Sequence, residues 1–298
     1  MKREKLERLL SLEKERRGVK REKLVFVGMH KVSQYYWCAM QAVLKSRKNE
    51  LHFFTSYLDA RTQYARELGL IDRLPESDEA LLSVGDGITF SDVEGLLREK
   101  TERFEGVSGA VLTTETIDEH GKTVMVINPY VPLAPQFRER FERDAKAKGI
   151  RIANPEEFPK LLGEFLQTAR AEQYPTIKWN FAWEGYVVTG TPDGITDKFV
   201  YEFKTIGSRF LMRFQKPVAL TQADLYGYFF KRDRKRVQIY IKNEDAIETW
   251  EDAVDKTKAI KVLGNFKRVD GGWTPPPPKM WKCKHCEFKR MCQLVKAT

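Results

Sequence analysis

The four cysteines of this 298-residue chain lie one near its beginning, Cys38, and three near its end, Cys283, Cys286 and Cys292. If they act as one group, about 245 positions of chain close into a loop, and the fold must bring its two ends side by side. Four thiolates suit a cubane iron–sulfur cluster or a structural zinc ion. The Cys283-x-x-Cys286-x5-Cys292 run puts three of them on a tight loop and the turn after it. It lacks the paired C-x-x-C motifs of a zinc ribbon, which weighs against zinc. His285, inside the loop, is a further zinc-ligand type but reads as a solvent-facing neighbour. The plain alternative is four unligated core cysteines.

Hydrophobic residues make up 42% and charged residues 32%, which is globular composition and far from disorder. The length allows one large domain or two ordinary ones. No apolar run approaches the roughly 20 residues of a membrane span. Met1-Lys2-Arg3-Glu4-Lys5 carries no apolar signal segment, so a cytoplasmic protein with reduced or metal-bound thiols is expected. Net charge is +10, unevenly spread. Asp72 to Glu119 holds 13 acids against 4 bases, net −9, which leaves +19 elsewhere. Basic clusters fall in the first 24 residues, in Lys231–Arg236 and in the cysteine-rich tail. Basic surface of this kind favours a polyanion, most often nucleic acid, and the alternative is a solvated surface. The acidic stretch is expected to face away from a nucleic-acid site, to gate it, or to dock a basic partner.

Apolar spacing predicts helices over 2–17 (stopped by Gly18), Ser33–Lys45, 56–68, 91–104, 135–148, 155–171, 217–232 and 249–262. Strands are predicted over Leu24–Val27, Ala110–Ile117, Thr123–Asn128, 183–191, 199–205 and 237–242, with a hairpin turn at Glu119-His120-Gly121-Lys122. After residue 183 the order is β-β-α-β-α, an α/β core with mixed strands. Pro275 to Pro278 form a stiff lead into the tail.

Glu202 and Lys204 stand two apart in a strand and emerge on one face. Asp193, at the end of the preceding strand, is brought alongside by a turn at Asp193-Gly194. Two converging carboxylates form a hard oxygen site suited to Mg²⁺ or Mn²⁺, which polarises a phosphoryl oxygen and acidifies water. Lys204 offsets charge in the transition state or orients the water. An exposed hairpin with a salt bridge is the bland alternative. Against it, the strand is otherwise apolar (Phe199, Val200, Tyr201, Phe203), and charges facing into a sheet need a reason. Gln222 and Tyr226, at i and i+4 on the next helix, are placed to hold Lys204 or a scissile phosphate.

Pro192-Asp193, Glu202-Phe203-Lys204 and Gln222-Ala223-Asp224-Leu225-Tyr226 together resemble the PD-(D/E)xK nuclease superfamily, in particular its RecB-like branch. That branch often carries a Gln-x-x-x-Tyr helix after the Glu-x-Lys strand. The resemblance is strongest over residues 183–242 and the two cysteine segments, and weak or absent over 46–180. It implies one RecB-like domain over 1–298 with a restriction-endonuclease-like α/β core, a mixed central sheet flanked by helices. A helical N-terminal part, a variable helical and hairpin insertion over 46–180, a catalytic core over 183–262 and a cluster-binding tail over 273–298 complete it.

One early cysteine and a C-terminal trio around such a core resemble two iron–sulfur nucleases, the CRISPR-associated protein 4 exonuclease family and the nuclease domain of AddB-type helicase–nucleases. Lys31-Val32-Ser33-Gln34-Tyr35-Tyr36-Trp37-Cys38 is similar to the opening segment of the former, and the chain has no helicase motifs. The resemblance implies that Cys38, Cys283, Cys286 and Cys292 hold a [4Fe–4S] cluster. It implies that Asp193, Glu202 and the Phe203 carbonyl bind Mg²⁺ or Mn²⁺, with Lys204 catalytic and Gln222 and Tyr226 supporting. The implied activity is 5′-to-3′ exonuclease cleavage of single-stranded or end-containing DNA, endonuclease cleavage being a further option. Its implied setting is CRISPR spacer acquisition beside an integrase partner.

Two departures stand out. The region 46–180 is longer than in a minimal member. The family also usually has an early active-site histidine just after a glycine in a helix, and His30, His52, His120 and His285 all lack that context. Asp92, in Gly87-Ile88-Thr89-Phe90-Ser91-Asp92, is a loose counterpart. Two other functions stand beside the leading one. A DNA-binding or assembly subunit with a degenerate site is favoured by the missing histidine and opposed by the intact Asp, Glu and Lys. A zinc-clasped accessory nuclease of repair or replication differs in metal and pathway. Trp273, Trp281 and Phe288, near the basic tail, either stack on unpaired bases or shield the cluster.

Overall fold

Leu6, Leu9 and Leu10 form the apolar stripe of α1 (Arg3–Arg17), which Gly18 ends with its N–H bonded to the Lys14 carbonyl. The computed structural model describes residues 2–18, 24–102, 112–131, 133–292 and 294. The stripe packs on Phe26, Phe54 and Tyr57 in a satellite core. Strand β1 (Val25–Gly28) is buried throughout. It ends at a glycine because a Cβ at Gly28 would sit 2.5 Å from the Phe53 ring and 2.9 Å from that of His30. A short helix, α2 (Met29–Val32), and a 3-10 turn over Ser33–Tyr36 follow. The helix expected over Ser33–Lys45 is therefore interrupted. Cys38 is extended (φ −162°, ψ 116°) at the N-cap of α3 (Ala39–Lys48).

The region 46–180 contains α4 (Glu50–Glu67), α5 (Asp78–Ser83), α6 (Phe90–Glu102), α7 (Pro135–Ala147) and α8 (Pro159–Arg170). The predicted β-hairpin is present as β2 (Thr113–Ile117) and β3 (Thr123–Ile127), and β4 (Arg151–Ala153) adds to it in parallel. Residues 110–111 of the first predicted strand and 103–104 of the predicted helix lie outside the described residues. The helix expected over 155–171 begins only at Pro159. Asn154 and Glu157 close a capping box around a 3-10 turn, and the residue before a proline is steered away from helical angles (Phe158 φ −124°, ψ 80°).

Two mixed sheets form the body. In the first, β1 runs parallel to β6 (Tyr186–Gly190), which pairs antiparallel with β5 (Trp179–Trp183). The single strand expected over 183–191 is thus a hairpin. Its two-residue turn, Glu184-Gly185, has positive φ at both positions (43° and 85°), matching the twist of the flanking strands. The second sheet has the order β10-β9-β8-β7, formed by β7 (Gly194–Ile195), β8 (Phe199–Ile206), β9 (Arg234–Ile241) and β10 (Ala246–Ala253). Strands β8 and β9 are parallel, and the outer pairs are antiparallel. Their crossover is α9 (Met212–Phe229), which begins five residues before the expected start, so Pro217 lies inside it. The helix expected over 249–262 is replaced by β10 and then α10 (Lys256–Asp270). Asp245, at φ 46°, reverses the chain and sets Trp250 opposite Val237, while Asp255 caps α10 through the Lys258 N–H at 2.8 Å. The chain is mixed α/β, and its last described helix is α11 (Met280–Lys284).

Internal pairing absorbs much of the uneven charge. Asp78 of the acidic stretch pairs with Lys5 (3.2 Å) and Arg8 (3.6 Å) of α1, and Asp86 with Arg16 (2.5 Å). Part of that stretch is thus paired within the chain. Within Lys231–Arg236, Arg232 pairs with Glu94 (2.6 Å), Lys235 with buried Asp224, and Arg236 with Glu172 and Glu251. That cluster is largely structural.

Candidate active site

Strand β6 gives way to β7 across Thr191-Pro192-Asp193, so Asp193 sits where the chain passes from one sheet to the other. Gly194 permits the crossing, because a Cβ there would lie 2.5 Å from that of Tyr174. The Asp193 carboxylate is fixed at both oxygens. Oδ1 accepts from Gln167 Nε2 (2.7 Å), and Oδ2 accepts from the Phe203 N–H (2.8 Å). In an extended strand a residue's N–H and C=O project to the same edge, so the Phe203 carbonyl faces the Asp193 side, beyond the end of β7.

The alternation of β8 sorts its side chains. Tyr201 and Phe203 enter a core with Leu166 and Tyr240, while Glu202 and Lys204 share the other face. Glu202 is fully buried, and its Oε1 is ion-paired with Lys204 Nζ. Neither Glu202 oxygen has a partner of hydrogen-bonding geometry. Burial pushes its carboxyl up to about 8, opposed by the Lys204 charge and reinforced by that of Asp193. Burial works against the Lys204 ammonium, but Glu202 and Asp193 outweigh it and hold its pKa above the ordinary lysine value. Two carboxylates and an ammonium therefore converge, with one carboxylate short of hydrogen-bond donors. A buried charge in that condition is costly without a cation, so the residues fit a hard divalent ion.

Gln222 and Tyr226 lie on the face of α9 over this site. Gln222 Nε2 donates to the Tyr226 hydroxyl (3.0 Å), which donates to the Thr191 carbonyl (2.9 Å). These bonds brace the turn that carries Asp193. Burial raises the Tyr226 phenol well above its ordinary value, aided by Glu202 and Asp193, so it remains a donor. Asp92 serves its own helix. Its carboxylate accepts from the N–H (2.8 Å) and hydroxyl (2.7 Å) of Thr89 at the start of α6.

Two residues near the site are not evident from the sequence. Gln167, on α8, has no distinguishing signal. His30, two residues after the glycine that ends β1, lies within electrostatic reach of Lys204. Burial drives its pKa down to about 3, with Lys31, Lys204 and His52 contributing, so its imidazole is neutral at pH 7 and able to take a metal. The Gly28-Met29-His30 junction is the signal that could have found it.

Cys38, Cys283, Cys286 and Cys292 line one small cavity with Trp37, Leu44, Pro278 and Phe288. All four are free thiols. Burial raises the Cys38 pKa, opposed by the backbone N–H groups of Gln41 and Met40 and aided by Cys292 and Cys286. Glu287 secures the tail to α3 through Lys45 (3.6 Å) and Lys48 (2.7 Å), and Arg47 anchors α3 to Asp270 of α10 with two bonds of 2.6 Å. Four soft sulfur donors in a mostly apolar pocket fit a thiolate-held cluster. Among the described residues, no group of three or more His, Cys, Asp or Glu side chains is arranged to hold a single metal ion.

No protein-family model matches the sequence, and no curated protein matches it. Among solved structures, one described as the crystal structure of SSO0001 is similar, with 19% identity and a TM-score of 0.35, covering 68% of this chain and 96% of that one. A likeness at that level leaves the reading of the site to the side chains. No helix among the described residues is long and apolar enough to cross a membrane.

Proposed function

We propose that this chain is a metal-dependent DNA nuclease with a PD-(D/E)xK core and a thiolate-held [4Fe–4S] cluster, of the CRISPR-associated protein 4 exonuclease kind. The observation that carries the reading is Glu202, buried beside Lys204 and opposite the anchored Asp193, with neither carboxylate oxygen in a hydrogen bond of sound geometry. Asp193, Glu202 and the Phe203 carbonyl would hold Mg²⁺ or Mn²⁺, with neutral His30 a further donor. When bound, such an ion polarises a phosphodiester and acidifies a water. The chain's own residues do the rest. Gln167 and the Phe203 N–H hold Asp193 in one orientation, and Tyr226 fixes the turn behind it. Lys204 keeps its proton and presents positive charge where the attacked phosphate gains negative charge.

Cys38, Cys283, Cys286 and Cys292 would hold the cluster and tie the chain's ends together. The substrate we propose is single-stranded or end-containing DNA, cut from the 5′ end, in the preparation of new CRISPR spacers beside an integrase. The test uses anaerobically purified protein and single-stranded DNA labelled at either end. Cleavage in Mg²⁺ or Mn²⁺, stopped by EDTA and starting at the 5′ label, is expected. Intact DNA under every metal condition would leave a binding or assembly subunit as the better account.

A further inference from the structure

Beyond β8 the chain turns through Arg209–Leu211 into α9 and leaves a group of aromatic rings on the surface beside the cysteine segment. Phe210 is 63% exposed and Trp281 is 44% exposed. Both flank Phe214, at centroid distances of 6.1 and 5.4 Å, and Trp37 joins Phe214 at 5.8 Å and Trp281 at 5.5 Å. Cations lie over these rings. The Arg213 guanidinium is 4.0 Å from the Phe210 centroid and 4.7 Å from that of Phe214, and the Lys282 ammonium is 4.2 Å from that of Trp37. Lys282 also donates to the Trp37 carbonyl (2.8 Å), joining the tail to the segment that carries Cys38.

Shielding of the cysteine cavity explains only part of this group. Trp37 and Lys282 line that cavity, whereas Phe210, Phe214 and Trp281 do not. An exposed aromatic patch with interleaved cations is costly to leave in water unless something covers it. The patch is also carried in part by the helix that bears Gln222 and Tyr226. Phe214 lies about two turns, some 12 Å along the axis of α9, from Gln222, with buried Val218 between them.

The geometry points to this patch as a docking surface for single-stranded nucleic acid, with unpaired bases stacking on Phe210 and Trp281 and phosphates meeting Arg213 and Lys282. The inference deepens the nuclease reading and rests on it. Its occupant follows from the chemistry. Ring faces accept any base regardless of sequence, and cations beside them neutralise the phosphates that link those bases. A duplex keeps its base faces stacked inside and offers the rings nothing. The surface therefore selects single strands.

The test measures fluorescence anisotropy of a labelled oligothymidylate and of a blunt duplex of equal length, in EDTA, with the full chain purified anaerobically. Phe210→Ala and Trp281→Ala are each expected to weaken single-strand binding about tenfold or more and duplex binding less than about twofold. Arg213→Gln is expected to lower the salt slope by about one. Trp281→Phe retains a ring and keeps affinity within about twofold. Melting temperature and metal content matching the parent confirm an intact fold, which the exposure of Phe210 favours. Unchanged single-strand affinity in Phe210→Ala, or equal losses on single strand and duplex, would overturn the proposal. Loss of self-association with unchanged oligonucleotide affinity would also overturn it and assign the patch to a second copy of the chain. Because binding is read without metal, a parent that fails to cut DNA counts against the nuclease reading alone, and a lost preference for single strands counts against the surface alone.

Discussion

Glu202 is a buried acid whose environment favours its proton. Its carboxyl stands at about 8 in the folded chain against an ordinary 4.5, raised mainly by burial. A folded-state value above the unfolded one gives stability that is full below the ordinary value and lost as pH rises through about 8. The metal-free protein should therefore melt at a lower temperature at pH 8 than at pH 6. Mn²⁺ must displace the proton, so its affinity should rise by up to about tenfold per pH unit towards pH 8 and then level off. Titration calorimetry in two buffers of different ionisation enthalpy would detect the released proton. A pH-independent affinity would mean that Glu202 does not bind the ion. Tyr226→Phe removes the bond to Thr191 and leaves Gln222 without its acceptor, at a cost of about 1 kcal/mol in stability. Cleavage should slow while oligonucleotide affinity holds, because Asp193 loses its brace. The pairing of Glu202 with Lys204 was legible in the sequence because two-residue spacing on a strand fixes a shared face. His30 and Gln167 were not, since their arrival depends on how α2 and α8 pack around the turn at Asp193.

At the scale of elements, α3 is the joint between the two ends of the chain. Cys38 caps it, Lys45 and Lys48 reach Glu287 in the tail, and Arg47 fixes it to α10. If the four thiols hold the proposed cluster, Cys38→Ala should bleach the brown colour of anaerobically purified protein and lower its melting temperature, because a lost ligand also loosens this joint. Stoichiometric zinc without iron in protein never exposed to air would contradict the cluster. The acidic stretch makes a separate prediction. Asp86→Asn leaves Arg16 and the buried Arg61 short of a partner, so the melting temperature should fall by a few degrees while DNA affinity stays level. A gain in DNA affinity on that change would instead make the stretch an electrostatic gate. The helices α1 and α7 and the β2–β3 hairpin followed directly from apolar spacing and turn residues. Strand β10 did not, because as an edge strand it buries little, and its charges Glu248 and Glu251 are matched by Arg209 and Arg236. Strand β5 was hidden for another reason. Its turn uses Glu184 in a left-handed conformation that sequence rarely announces.

For the molecule as a whole, much of the basic charge is engaged in ion pairs within the chain. The Lys231–Arg236 cluster is consumed by Glu94, Asp224, Glu172 and Glu251, and much of the N-terminal basic helix by Asp78, Asp86 and buried Glu13. What the fold leaves is a mixed α/β body whose two sheets meet at Asp193, with the cysteine cavity and a group of exposed rings beside it. The reading of this arrangement as a nuclease depends on Glu202 and Lys204. Its most direct test is cleavage of single-stranded DNA in Mn²⁺ by the parent, Glu202→Ala and Lys204→Ala, prepared together under anaerobic conditions. The account predicts cutting by the parent and a loss of about 100-fold or more in each variant, with oligonucleotide affinity in EDTA unchanged. Variants that cut as fast as the parent would place the chemistry elsewhere and contradict it.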